Sequence, residues 1–116
     1  MKNSIVKEKS FAFAIRIVNL YKFLVNEKKE FVLSKQLLRS GTAVGALVRE
    51  AEQGESRKDF IHKLAIALKE ANETEYWLEL LHQTDYLDAK SFESIHKDNV
   101  ELLKLLTSII KTSKDN

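Results

Sequence analysis

A chain of 116 residues is ordinary for one domain and short for two, and residues 1–116 are read as a single domain. With 44% hydrophobic and 31% charged residues it can bury a core beneath a charged surface, and no uncharged run approaches a membrane span, which argues against both disorder and a membrane protein. The absence of cysteine excludes disulfides and thiolate metal sites, and the basic "MKNSIVKEKS" start lacks the apolar stretch of a secretory signal, so a cytoplasmic protein is the simplest expectation.

Proline is absent, so few strand boundaries are marked, and the pattern predicts an all-α chain of four long helices. The first is expected from about Ser10 to Glu27, with Phe11, Ala14, Ile15, Val18, Tyr21 and Val25 at spacings of three and four on its core face. Phe13, Leu20 and Phe23 project from the far side, so this helix is apolar nearly all round and calls for a second partner: these three are the predicted oligomer interface. The polar "NEKKE" at 26–30 breaks the pattern, and Ser34 is the expected N-cap of the second helix.

That helix carries Leu37, Gly41, Val44, Val48 and Ala51 in a four-three alternation, the seam of a bundle. A glycine inside a helix costs about 1 kcal/mol relative to alanine, so Gly41 and Gly45 need a reason. Together they make a strip without side chains along which another helix can approach closely. Gly54 in "QGES" is expected to adopt the left-handed C-cap conformation, and Ser56 with Asp59 to form a capping box. The third helix then presents Phe60, Leu64, Ala67, Ala71, Thr74, Leu78 and Leu81 through about Gln83, with Ile66, Glu70, Glu73, Trp77 and Leu80 in a row beside them. "TDYLDAKS" makes a turn, and Phe92, Ile95, Leu102, Leu103, Leu106, Ile109 and Ile110 form the apolar side of the fourth. Short connections make successive helices antiparallel, so the expected architecture is an up-down antiparallel four-helix bundle.

Charge is uneven. Residues 1–40 hold nine basic side chains against three acids, a net of +6, whereas residues 41–88 carry a net of −5. Lys22, Lys28, Lys29, Lys35 and Arg39 are the expected phosphate-binding face if the protein meets RNA or DNA. The competing reading is electrostatic matching between subunits.

Catalytic and metal chemistry find little support. Glu79 with His82 and Glu93 with His96 share the i, i+3 spacing of di-iron bundles, but both pairs flank one turn and the further inward glutamates are missing, so no metal and no cofactor is expected. Glu70 and Glu73 lie in a partly apolar row and read as structural acids accepting from Ser40, Thr42 or Arg49 on the neighbouring helix, rather than as an acid and base pair. No serine stands near a histidine in a catalytic setting, so the chain reads as a non-enzyme.

"SGTAVGALVREA" followed by "SRKDFIHKLAIALKEANETEYWLELL" resembles the bacterial four-helix bundle family named for open reading frames in 23S rRNA intervening sequences. The likeness extends from Ser10 onward and rests on joint spacing: Ser40, Gly41, Thr42, Gly45, Glu50 and Ala51, then Asp59, Phe60, Lys63, Leu64 and, from Ile66 to Leu78, every position but Asn72 and Glu75. Leu47 stands where such sequences carry asparagine, so a polar contact made there in relatives does not carry over. The resemblance implies a protomer that assembles as a homo-oligomer, commonly a ring-shaped homopentamer, with no established catalytic activity. It also implies kinship with the accessory subunit of diversity-generating retroelements, whose basic surface engages nucleic acid and a reverse transcriptase. Two readings follow: a non-enzymatic nucleic-acid-associated oligomer, or a protein-interaction and assembly scaffold with no nucleic acid role.

Overall fold

The computed structural model describes residues 2–115, with side chains described from Ser4 to Asp115. Four helices, α1 (Lys2–Asn26), α2 (Leu33–Glu52), α3 (Arg57–Gln83) and α4 (Ala89–Asp115), follow one another with no strand among the described residues. α1 packs on α2 and α4, and α3 packs on the same two, leaving the diagonals apart, as in the up-down antiparallel four-helix bundle the sequence predicts. At 1.5 Å per residue a 27-residue helix spans roughly 40 Å, close to the 46 Å long axis. The α1–α2 linker and the α3–α4 turn therefore share one end, and the α2–α3 turn lies at the other.

The seams of α2 and α3 are as the periodicity predicts. Leu37, Gly41, Val44, Val48 and Ala51 are buried against Leu64, Ala67, Ala71, Thr74, Leu78 and Leu81, with Phe60 half-buried at the edge. Leu47 is half-buried against the same core.

α1 is turned relative to expectation. It begins at Lys2 rather than near Ser10, and its core face is Val6, Ser10, Phe13, Ile17 and Leu24. Phe11 and Ile15, predicted inside, are 51% and 49% exposed. Phe13 is 2% exposed and Leu20 is half-buried against the core, so of the three side chains predicted to face a partner only Phe23 remains outside.

The glycine strip explains the turn. A Cβ on Gly41 would stand 2.7 Å from Cγ1 of Ile17, and one on Gly45 would stand 3.2 Å from the carbonyl oxygen of Ser10. α1 thus lays Ile17 and its own backbone on the bare strip of α2, and the close approach lies within the protomer. Ser10, small and buried, donates its hydroxyl to the Lys7 carbonyl at 3.2 Å.

Two caps also differ from expectation. Ser34 is buried inside α2, and the cap is Glu30, whose carboxylate accepts from the backbone N–H of Val32 (3.3 Å), Leu33 (3.0 Å) and Ser34 (2.7 Å). Burial pushes the Glu30 carboxyl up, but those three N–H groups together outweigh it and hold the group below its ordinary value. Gly54 is not left-handed; Gln53 caps α2, and the left-handed residues are Lys29 (φ 55°) and Asp85 (φ 70°), in the linkers after α1 and α3. Ser56 does cap α3, its Oγ accepting from Asp59 N at 3.1 Å.

Candidate nucleic-acid interface

Of the nine basic residues in the first forty, four are held by acids of other helices. Lys7 meets Glu52 at 3.3 Å, Lys9 meets Glu101 at 3.1 Å and Arg16 meets Asp98 at 2.7 Å. Arg39 Nη1 donates to Glu70 Oε2 at 3.2 Å, and its Nη2 bonds Glu73 Oε2. Part of the sequence-level charge imbalance is therefore cancelled inside the protomer. Lys22, Lys28, Lys29 and Lys35 are exposed and form no ion pair within the described residues.

These four lysines sit at one corner, because α1 ends at Asn26 and α2 starts at Leu33. Three large apolar side chains share the corner in the open: Phe23 (42%), Phe31 (52%) and Val32 (70%). Lys28 Nζ lies 5.9 Å from the Phe23 ring centroid. The α3–α4 turn brings Asp85 and Asp88 to the same end, where they line a groove together with Phe23 and Lys28. Asp88 caps α4 by accepting from Ser91 N at 2.7 Å; that bond chiefly, with Lys28 a lesser contributor, holds its carboxyl below the ordinary value. Cationic and aromatic side chains on one exposed corner suit both the phosphates and the flat bases of a nucleic acid strand.

Arg39 stands apart from this set. Glu70 first and then Glu73 raise its guanidinium's affinity for the proton. The indole N–H of Trp77 reaches Glu73 Oε2 at 3.0 Å and is the foremost reason that the Glu73 carboxyl lies below its ordinary value, ahead of Arg39. Glu70 and Glu73 thus tie α2 to α3 through Arg39, with Trp77 bracing Glu73 from within α3, and not through the donors predicted for them. Thr42 donates to its own helix at Leu38 O (2.7 Å), the hydroxyls of Ser40 and Thr74 meet each other at 2.9 Å, and the Arg49 guanidinium lies 4.8 Å from the Phe11 ring. One oxygen, Glu70 Oε1, is buried with no partner among the described residues.

Asn99 of α4 is a polar residue the sequence reading passed over. It is 0% exposed, donates from Nδ2 to Ala71 O at 3.0 Å and leaves Oδ1 without a partner among the described residues. The signal was present: positions 95, 99, 102, 106 and 109 keep the four-three alternation of a seam.

The histidine pairs read along the sequence do not form. His82 Nδ1 bonds Leu87 O at 2.9 Å, and the carbonyl can only accept, so Nδ1 carries the proton. His96 Nε2 reaches Glu75 Oε1 across to α3 at 2.7 Å, while Glu93 and His62 are exposed. No helix in the described residues is long and apolar enough to cross a membrane.

The family model described as 23S rRNA-intervening sequence protein matches residues 2–108. A crystal structure of a protein with unknown function from the S23 ribosomal protein family of Bacteroides thetaiotaomicron VPI-5482 is 68% identical in sequence and superposes with a TM-score of 0.95, over 96% of this chain and 99% of that one. No curated protein matches. The chain belongs to the 23S rRNA-intervening sequence protein family.

Proposed function

We propose that this protein is a non-enzymatic, cytoplasmic homo-oligomer that associates with RNA or DNA through the α1–α2 corner. The observation that carries the reading is that Lys22, Lys28, Lys29 and Lys35, exposed and outside every described ion pair, share the α1–α2 end of the bundle with the exposed rings of Phe23 and Phe31. Arg39, expected on the same face, is engaged by Glu70 and Glu73 and is left out of the proposed contact. The outward stripe of α1, with Ile5, Phe11 and Ile15, supports assembly with further copies, and the ring-shaped homopentamer implied by resemblance is the arrangement proposed. A reverse transcriptase is the protein partner suggested by the more distant kinship.

The same apolar stripe favours the second reading, an assembly scaffold without a nucleic acid role. Sizing chromatography beside a gel-shift assay separates the two. In the first reading Lys28→Glu with Lys29→Glu keeps the oligomer and weakens binding to unrelated RNA and DNA sequences alike. A parent protein that assembles but never shifts nucleic acid at low salt leaves the scaffold standing and defeats the first reading.

A further inference from the structure

Glu75 and Glu79 stand one turn apart on α3, and His96 faces them from α4. Each offers a ligand atom within 4.8 Å of the other two. The histidine is held in place: its ring stacks on Phe92 with centroids 5.0 Å apart and planes at 21°, and Phe92 stacks in turn on His82 at 4.6 Å and 8°. With the ring so fixed, Nε2 points at the carboxylates, 2.7 Å from Glu75 Oε1. His96 and Glu75 are each about one-third exposed (29% and 30%), so water competes only partly, while the exposed Glu79 is free to swing inward.

We propose that Glu75, Glu79 and His96 bind one divalent first-row transition cation, with zinc as the representative, and that the bound ion clips α3 to α4 near the turn joining them. The donor set decides the class. One imidazole nitrogen with two carboxylates suits zinc and its neighbours, whereas calcium and magnesium take oxygen donors. Zinc bonds of about 2.0–2.2 Å place tetrahedral donors roughly 3.3 Å apart. The Glu75–His96 pair must therefore open slightly and Glu79 close in, and side-chain rotation supplies both motions. Binding displaces to solvent the proton through which Nε2 bonds Glu75, leaves the neutral imidazole protonated on Nδ1, and lets water complete the coordination. Two carboxylates at i, i+4 repel each other without a cation, and a dication removes that repulsion.

The test is calorimetric titration of zinc sulfate into the full chain after removal of adventitious metal with a chelator. One saturable equivalent per chain is expected. His96→Ala and Glu79→Gln should each weaken binding by roughly tenfold or more, while His62→Ala, an exposed histidine near the start of α3 and outside the cluster, should leave it in place. Far-UV circular dichroism checks that all three variants remain helical, and zinc should raise the melting temperature of the parent but not that of Glu79→Gln. Absence of saturable binding, binding that survives both ligand variants, or equal loss in His62→Ala would overturn the assignment.

Discussion

Glu30 shows how much one side chain can decide. The linker "NEKKE" reads as a solvated charge run, yet its last member folds back and satisfies three N–H groups at the start of α2. Removing its charge by Glu30→Gln should cost roughly 1 kcal/mol in chemical denaturation, as for other lost helix caps. Because the folded-state value is depressed, the carboxylate's contribution is fully present above the ordinary value of 4.5 and is lost as pH falls through the folded value. The stability gap between parent and variant should therefore be constant near neutrality and close in acid. Asn99 makes a second prediction. Asn99→Asp would set a carboxylate against the Ala71 carbonyl in a fully buried seam, at a cost of roughly 3–5 kcal/mol at neutral pH. A raised carboxyl value in the folded variant means that lowering the pH restores its stability, which melts across pH would register.

At the scale of elements, α2 and α3 were legible because each keeps one unbroken four-three apolar seam. α1 was not, because Phe11, Phe13, Ile15, Ile17, Leu20, Phe23 and Leu24 surround the helix and periodicity alone cannot rank the two faces. What chooses between them is complementarity with α2: Gly41 accepts Ile17, and Gly45 accepts the Ser10 carbonyl. Both glycines were singled out in the sequence; their partners were not, since nothing local connects position 17 with position 41. Gly41→Ala should therefore destabilise the bundle despite the better helix propensity of alanine, with overpacking of order 1–3 kcal/mol. In the Ile17→Ala background the same change should cost less or turn favourable, because all three atoms in its way are gone. Equal costs in the two backgrounds, measured by a denaturation cycle, would contradict the close packing of α1 on the strip. The helix ends were read poorly for a related reason: Lys29 and Asp85 take the left-handed positions where glycine was the expected signal.

Across the whole molecule, the eight basic residues of 1–40 whose side chains are described divide into two populations. Lys7, Lys9, Arg16 and Arg39 fasten α1 and α2 to acids elsewhere, whereas Lys22, Lys28, Lys29 and Lys35 crowd the α1–α2 corner. Segment charge was visible in the sequence, but this division was not, because it depends on which acids the fold brings within reach. The exposed Phe11 and Ile15 belong to the same scale: replacing both with serine should leave helix content intact and shift the protein to a smaller species in light scattering. The most direct test of the nucleic-acid reading is the affinity for duplex DNA and structured RNA as a function of salt, followed by fluorescence anisotropy. Four lysines on phosphates predict a log–log slope of about −3 to −4 on duplex DNA, flattened by about 2 in the Lys28→Glu, Lys29→Glu double variant. An assembled parent that fails to bind at low salt, or a double variant whose slope is unchanged, would contradict the account.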